Sequence, residues 1–303
     1  MNNIEKIGNL ILDYTFYNGD DEYSDGKVED VLLDIVKNNI GYDHIIDKSD
    51  DFAIFYHLSK SREFITEVMD ISKNDSVLEI GSGCGAITGA LAREAKEVTC
   101  IDLSKRRSLI NAYKNRDNDN VKIYVGNYQD IKLDKGFDVI TLIGVFEYSL
   151  YYMQDDNPFE SMLISCMEKL NENGRLYIAI ENRLGAKYFS GCREDHVGKE
   201  FVGIEGYPGA IKARTFSYYE LVGMFKKLKL NNYEFYYPYP DYKFPHVVYS
   251  DKYLPGEYEN FECASDYTGI RDRYFDENKF LNSLVGKDEF KIFSNSFLIS
   301  IRK

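Results

Sequence analysis

The stretch Ser76 to Leu91, SVLEIGSGCGAITGAL, constrains this chain more than any other. A short apolar run, Val77 to Ile80, ends in Gly81-Ser-Gly83-Cys-Gly85 and opens into helix-like sequence. Glycines lack a Cβ, so the backbone there can turn tightly and approach a ligand closely. The next apolar run, Val98 to Ile101, closes on Asp102. That residue falls about 20 positions beyond the first glycine, where a nucleotide-binding α/β unit places the carboxylate that accepts from a ribose diol.

Strand-like and helix-like segments alternate from this point. Strands are expected at 77–80, 97–102, 121–125, 137–143, 175–181, 233–237 and 290–301, and helices at 86–95, 104–115, 158–171 and 216–229. Such alternation predicts a doubly wound α/β sheet of seven strands, mostly parallel and covered on both faces. Residues 1–70 read as an N-terminal helical extension, with helices at 28–38 and 61–69, the latter capped by Ser61. Residues 71–303 then form the main domain. Two segments exceed what a minimal sheet of this kind needs: 183–213, and 238–289 with Tyr242, Tyr253, Tyr258, Tyr267 and Tyr274. Long aromatic-rich loops are ordered and functional more often than disordered. They are read as a cap over the carboxyl ends of the strands.

The charge balance narrows the partners. A net charge of −13 argues against nucleic acid as a partner, because a phosphate backbone needs basic patches. The one basic run, Lys105-Arg106-Arg107, reads as a solvated helix face. Five cysteines, at 84, 100, 166, 192 and 263, show neither pairing logic nor metal-ligand spacing. A reduced, cytoplasmic protein is expected. Met1-Asn-Asn-Ile-Glu-Lys lacks the basic and apolar regions of a leader, and no apolar run is long enough to span a bilayer.

The glycines at 81, 83 and 85, with Glu79 inside the preceding strand, resemble the cofactor site of class I S-adenosylmethionine (SAM) dependent methyltransferases. The segment Phe290 to Ile301 is similar to the last, antiparallel strand of that Rossmann-like fold. Because Gly81-x-Gly83-x-x-Ala86 also fits a dinucleotide pattern, a NAD-dependent oxidoreductase stays open, as does a non-catalytic scaffold. Tyr56 to Glu63, Glu181 to Tyr188, Glu194-Asp-His196 and Phe235 to Lys243 resemble a narrower group. These are bacterial methyltransferases encoded with, or fused to, glycosyltransferases of surface-glycan pathways. The resemblance implies SAM as cofactor and O- or N-methylation of a glycan building block or a glycan-linked small group. It also implies association with glycosyltransferases of the same pathway. Methylation of a free small metabolite is the alternative.

The same resemblance distributes roles. Gly81, Gly83 and Gly85 would pass beneath SAM, Glu79 would act near the methionine amine or on the loop, and Asp102 would hold the ribose. Leu103 would pack on adenine, Asn127 and Tyr128 would reach its amine, and Gly144 would lie near the transferred methyl. Glu147 and Tyr148, just after the fourth expected strand, are acceptor-side candidates for catalysis. His196 is another, since an imidazole suits a hydroxyl acceptor as base, with Glu194 and Asp195 fixing its tautomer. His57 would pack near the cofactor. Arg183, Lys187, Arg193 and Arg214 could bind a phosphate, with salt bridges explaining at least two of them. Tyr237 and Tyr239 offer faces for a sugar ring or for core packing. No metal ligand set is expected.

Overall fold

The computed structural model describes residues 3–19, 21, 24–38, 41–209, 212–261, 266 and 271–303; Cys263 and Tyr267 lie outside them. Ten strands occur among the described residues: β1 (Ile4–Ile7), β2 (Leu10–Phe16), β3 (Ser76–Ile80), β4 (Glu97–Asp102), β5 (Val121–Gly126), β6 (Phe137–Ile143), β7 (Leu170–Glu181), β8 (Tyr233–Tyr239), β9 (Val247–Ser250) and β10 (Ser296–Arg302). The architecture is a mixed, mostly parallel α/β sheet, with strands added to the expected seven. The chain divides into two compact units, Met1–Leu142 with Lys169–Arg175, and Ile143–Glu168 with Leu176–Lys303.

In the first unit the strands run in the order β1-β2-β5-β4-β3-β6. β3 pairs parallel with both β4 and β6, so the chain steps outward from β3 on one side and then returns to its other side. Ligands of open α/β sheets bind at such a reversal of strand order, outside the carboxyl ends of the strands. All five residues of β3 are buried, as expected of a strand covered on both faces.

The N-terminal residues depart from the expected helical extension. β1 and β2 form a hairpin around Gly8-Asn9, and β2 adds to the sheet parallel to β5. Gly8 sits at φ +60°, and a Cβ there would meet the Arg116 carbonyl oxygen at 2.3 Å. Leu10 and Leu12 are buried while Ile11 is exposed, the two-residue alternation of a strand. Helices Val28–Lys37 and Phe52–Leu58 follow. Residues Lys60–Val68 form a 3₁₀ helix, and Ser59, not Ser61, accepts the capping hydrogen bond. Leu32, Ile35, Val36, Ile54 and Leu58 pack with Cys84 and Ile110 in one apolar cluster, so this segment is built onto the glycine loop.

The second unit orders its strands β7-β10-β8-β9, with β10 antiparallel to β8 and β8 antiparallel to β9. The expected strand at 290–301 is shorter: Glu289–Phe293 is helical and β10 starts at Ser296. The two long insertions are ordered where described, and they meet. The Arg271 guanidinium donates to the Ser190 carbonyl at 2.9 Å, and Lys243 bonds Asp195 at 3.3 Å. Tyr242 and Phe261 are buried, whereas Tyr253, Tyr258 and Tyr274 stand exposed. No helix among the described residues is long and apolar enough to cross a membrane.

Candidate functional site

At the end of β3 the chain turns through Gly81, Gly83 and Gly85, all at positive φ (70°, 52° and 74°). The N–H groups of Gly81 and Ser82 donate to the Ile101 carbonyl at 2.8 and 3.1 Å, which pins the loop to β4. At the end of β4, Asp102 accepts from the Gly83 N–H at 2.7 Å and from the Ser104 N–H at 2.9 Å. A carboxylate has about four acceptor positions, so two backbone bonds orient Asp102 and leave capacity for a diol. Burial raises its pKa, while Arg107 works in the opposite direction. Leu103, next to it, is half-buried.

Two residues at the loop, one in β3 and one in the turn, serve the scaffold in ways the sequence did not show. Glu79 is buried and accepts from the Thr88 hydroxyl at 2.7 Å and the Cys100 thiol at 3.3 Å. It therefore fastens the start of helix Thr88–Glu94 under the loop, and burial pushes its pKa up to about 7. A Cβ on Gly85 would meet the Asn111 side-chain oxygen at 2.3 Å, so this glycine admits a helix instead of a ligand. A Cβ on Gly83 would meet nothing nearer than Arg107 Nη1 at 3.8 Å, so the loop is open on that side.

Arg107 is not on a solvated face. It donates to Glu29 at 2.9 Å and to Asp25, whose other partner is His57 Nε2 at 2.9 Å. Burial opposes the Asp25 charge, but His57 and Arg107 outweigh it and hold its pKa down to about 2. His57 is thus a packing and pairing residue. After β5, the Asn127 side-chain oxygen accepts from the Gln129 N–H at 3.1 Å, which closes a turn, and Tyr128 is buried with Lys169 over its ring.

The second unit gathers ionisable side chains in its interior. Glu147 follows β6, Glu181 ends β7, and His196 comes from the first insertion. Side-chain exposures are 1%, 0% and 8%. His196 Nδ1 lies 3.0 Å from Glu194 Oε1, and its Nε2 lies 3.4 Å from Glu147 Oε1 and 4.0 Å from Glu181 Oε2. Glu194 is fixed by the N–H groups of His196 and Val197 and by the Tyr207 hydroxyl. Glu181 Oε1 is taken by Lys243, which also bonds Asp195; Lys187 pairs with Asp195 at 2.9 Å and with Asp241 at 3.8 Å. The remaining oxygens, Glu147 Oε2 and Glu181 Oε2, are buried with no hydrogen-bond partner.

Electrostatics differ among these groups. Burial raises the Glu147 pKa, and Glu181 adds to the rise. Burial works against the Glu181 charge too, but Lys243 and His196 prevail and hold it below the usual range. Burial would strip the His196 proton, yet Glu147 and Glu194 hold its pKa well above the ordinary value. Tyr148 is half-buried and meets the imidazole edge-on at 5.3 Å between ring centroids.

Several expected site residues are committed elsewhere. Arg183 and Arg214 both pair with Glu220, at 2.6 and 2.9 Å, and Lys187 is enclosed between two carboxylates. None of these three is arranged to hold a phosphate, so the salt-bridge reading accounts for them. Tyr237 and Tyr239 are buried, hydrogen-bonded to Asp251 and Ser294, and packed on Phe290. Their faces are used for core packing and cannot stack a sugar. A Cβ on Gly144 would meet the Tyr242 hydroxyl at 2.8 Å. No metal ligand set was expected, and Glu147, Glu181 and His196 each offer a donor atom within 4.8 Å of the others. Sequence reasoning missed Glu181 and Lys243 as site residues. An acidic residue closing the apolar run Leu176 to Ile180, as Asp102 closes its own, was the available signal.

Comparison with known proteins agrees with the loop geometry. A methyltransferase-domain family model matches residues 78–176. The chain is 32% identical over 147 residues to YrhH of Bacillus subtilis (strain 168), named as a methyltransferase, covering 46% of this chain and 78% of that protein. It is 25% identical over 150 residues to the ubiquinone biosynthesis O-methyltransferase of Rickettsia canadensis (strain McKiel), covering 48% of this chain and 61% of that one. Among solved structures, the N-methyltransferase NodS of Bradyrhizobium japonicum WM9 aligns with a TM-score of 0.42 at 14% identity, over 80% of this chain and 96% of NodS. The chain belongs to the class I SAM-dependent methyltransferases. It is a methyl-transferring enzyme, and its cofactor is SAM.

Proposed function

We propose that the buried acid–imidazole set of the second unit binds the methyl acceptor, and that the acceptor is a small molecule presenting a hydroxyl or amine. The observation that carries this reading is the density of charged side chains in one interior: Glu147, Glu181, Lys187, Glu194, Asp241 and Lys243 are all buried. Burying an ion costs several kcal/mol unless partners repay it, and apolar residues usually fill such space at least as well. Side chains kept there against that cost are best explained by a ligand.

In this reading Asp102 and the open loop at Gly83 hold SAM, while Glu147 accepts a hydrogen bond from the acceptor O–H or N–H. As methyl transfer proceeds, the heteroatom lone pair forms the bond to the methyl carbon. The carbon–sulfur bond breaks, and its electron pair stays on sulfur as S-adenosylhomocysteine. The acceptor proton passes to the carboxylate–imidazole set. Alignment supplies most of the acceleration. Acidic groups outnumber basic ones in the cluster, and the expected phosphate-binding residues are paired internally. Both facts favour a neutral or cationic acceptor over a phosphorylated one. The resemblance to glycosyltransferase-associated methyltransferases supports a glycan building block, or an amine or hydroxyl carried on one, as that acceptor. Residues 183–213 and 238–289 would form its cap.

Calorimetry with SAM and S-adenosylhomocysteine tests the cofactor half. Both should bind, and Asp102→Ala should weaken binding at least tenfold, about 1.4 kcal/mol; binding of NAD in place of SAM overturns the reading. Mass spectrometry of surface glycans from a deletion strain tests the acceptor half. Loss of one methyl mass, restored by the wild-type chain but not by Asp102→Ala, is the expected result. An unchanged glycan beside a methylated free metabolite in vitro would move the acceptor to that second class.

A further inference from the structure

We propose that Glu147, Glu181 and His196 form a binding site for one first-row divalent cation, such as Mn²⁺, Fe²⁺ or Zn²⁺. The inference rests on the reading of this cluster as the acceptor site and deepens it. Three donor atoms, one from each residue, lie within 4.8 Å of one another. Two carboxylate oxygens in the cluster, Glu147 Oε2 and Glu181 Oε2, are fully buried and accept nothing. A buried acceptor left unsatisfied is costly, and more so when charged, and a cation bound at the cluster would satisfy both.

The imidazole is presented as a metal ligand is. Its Nδ1 faces Glu194 Oε1 at 3.0 Å, and Glu194 is itself held by two backbone N–H groups and the Tyr207 hydroxyl. A metal-bound histidine almost always donates its other ring N–H to such an oriented carboxylate, which fixes the tautomer and aims the free lone pair. Here Nε2 faces Glu147 Oε1, 3.4 Å away, and Glu181 Oε2, 4.0 Å away, where a bound cation would take the place of the ring proton. Two ligands each about 2.1 Å from a common ion stand about 3.0 Å apart at a right angle and about 3.4 Å apart at the tetrahedral angle. The observed spacings need only small side-chain adjustment to close on an ion. Lys243 occupies Glu181 Oε1, which leaves Oε2 as that residue's single ligand atom.

Two carboxylates with one imidazole suit Mn²⁺, Fe²⁺ or Zn²⁺ better than Mg²⁺ or Ca²⁺, which favour all-oxygen sites. Three protein ligands leave positions for oxygens of the acceptor, so the substrate class becomes a hydroxyl-bearing molecule, with Glu147 orienting it through the ion. A bound cation lowers the pKa of a coordinated hydroxyl. With the carboxylate–imidazole set engaged by the ion, the hydroxyl proton would leave to water in place of that set, before the oxygen–methyl bond forms and the carbon–sulfur pair goes to sulfur.

Protein freed of metal by chelation should take up one equivalent of Mn²⁺ in calorimetry, and pulsed paramagnetic resonance of the Mn²⁺ complex should show modulation from a ligating nitrogen. Glu194→Gln should weaken Mn²⁺ binding at least tenfold. His196→Ala and Glu181→Gln should abolish it while SAM binding, which reports folding, persists. If those variants do not fold, the nitrogen signal of the wild-type protein decides. Absence of saturable Mn²⁺ and Zn²⁺ binding, absence of the nitrogen signal, or binding of methylammonium in place of metal overturns the proposal. SAM-dependent methylation undiminished by chelator would overturn the cation site and leave the proposed function standing. Failure of the wild-type chain to bind SAM would strike that function alone.

Discussion

Glu79 shows how a residue legible by position can hold a different task. Its place inside β3, before the glycine loop, was evident in the sequence, but its direction was not. The carboxyl group points into the scaffold, to Thr88 and Cys100. Its folded pKa, about 7, lies above the ordinary 4.5. The folded state therefore holds the proton more tightly, and the resulting stabilisation is complete below about pH 4.5 and lost as pH rises through about 7. Glu79→Gln should flatten the fall in stability between those pH values, worth up to roughly 3 kcal/mol. Urea denaturation of both proteins at pH 5 and pH 8 measures this, and an equal pH dependence would refute it. Asp102 was readable because its partners, Gly83 and Ser104, are set by the local motif. Glu181 and Lys243 were not, because they meet across 62 positions of sequence.

Elements followed the sequence where one pattern fixed them. β3, β4 and the helix Lys105–Lys114 carry their own signals: an unbroken apolar run, a run closed by Asp102, and Ser104 accepting from the Arg107 N–H at 3.2 Å. The N-terminal hairpin departs from the helical extension expected over residues 1–70, because the helical periodicity of 28–38 does not extend to the residues before it. Yet the alternation through Leu10, Ile11 and Leu12 after a glycine turn was there. Residues 290–293 look strand-like in sequence and are helical, since the aromatic side chains Phe290 and Phe293 find partners in Tyr239 and Phe280 instead of a neighbouring strand. The helix Tyr218–Lys227 is set by a reciprocal capping box between Ser217 and Glu220. Ser217→Ala should lower stability by about 1 kcal/mol. A change below a few tenths of that, in chemical denaturation, would show that Arg183 and Arg214 hold Glu220 and the helix start without the cap.

At the scale of the whole molecule, residues 24–58 belong to the first unit as fully as the sheet does. Arg107, on the helix after Asp102, joins Asp25 and the fully buried Glu29 to the glycine loop's surroundings. Removing one partner of such a buried pair typically costs 3–5 kcal/mol, because the other charge is left without compensation. Arg107→Ala should destabilise the protein by roughly 3 kcal/mol and make residues 24–58 more open to proteolysis. Unchanged stability would mean that the apolar cluster of Leu32, Val36, Leu58 and Cys84 holds the segment alone.

Gly85 governs how this sequence could drift. The space its side chain would need is filled by the amide of Asn111, and Asn115 stands behind it at 2.8 Å. Three positions on two different segments are therefore locked into one another's histories. A larger residue at 85 is admissible only after Asn111 has shortened, and even then the left-handed backbone at φ 74° keeps a penalty of about 1–2 kcal/mol on any side chain. The third glycine of the loop is thus under the helix's selection, and it would persist in a descendant that had lost the cofactor altogether.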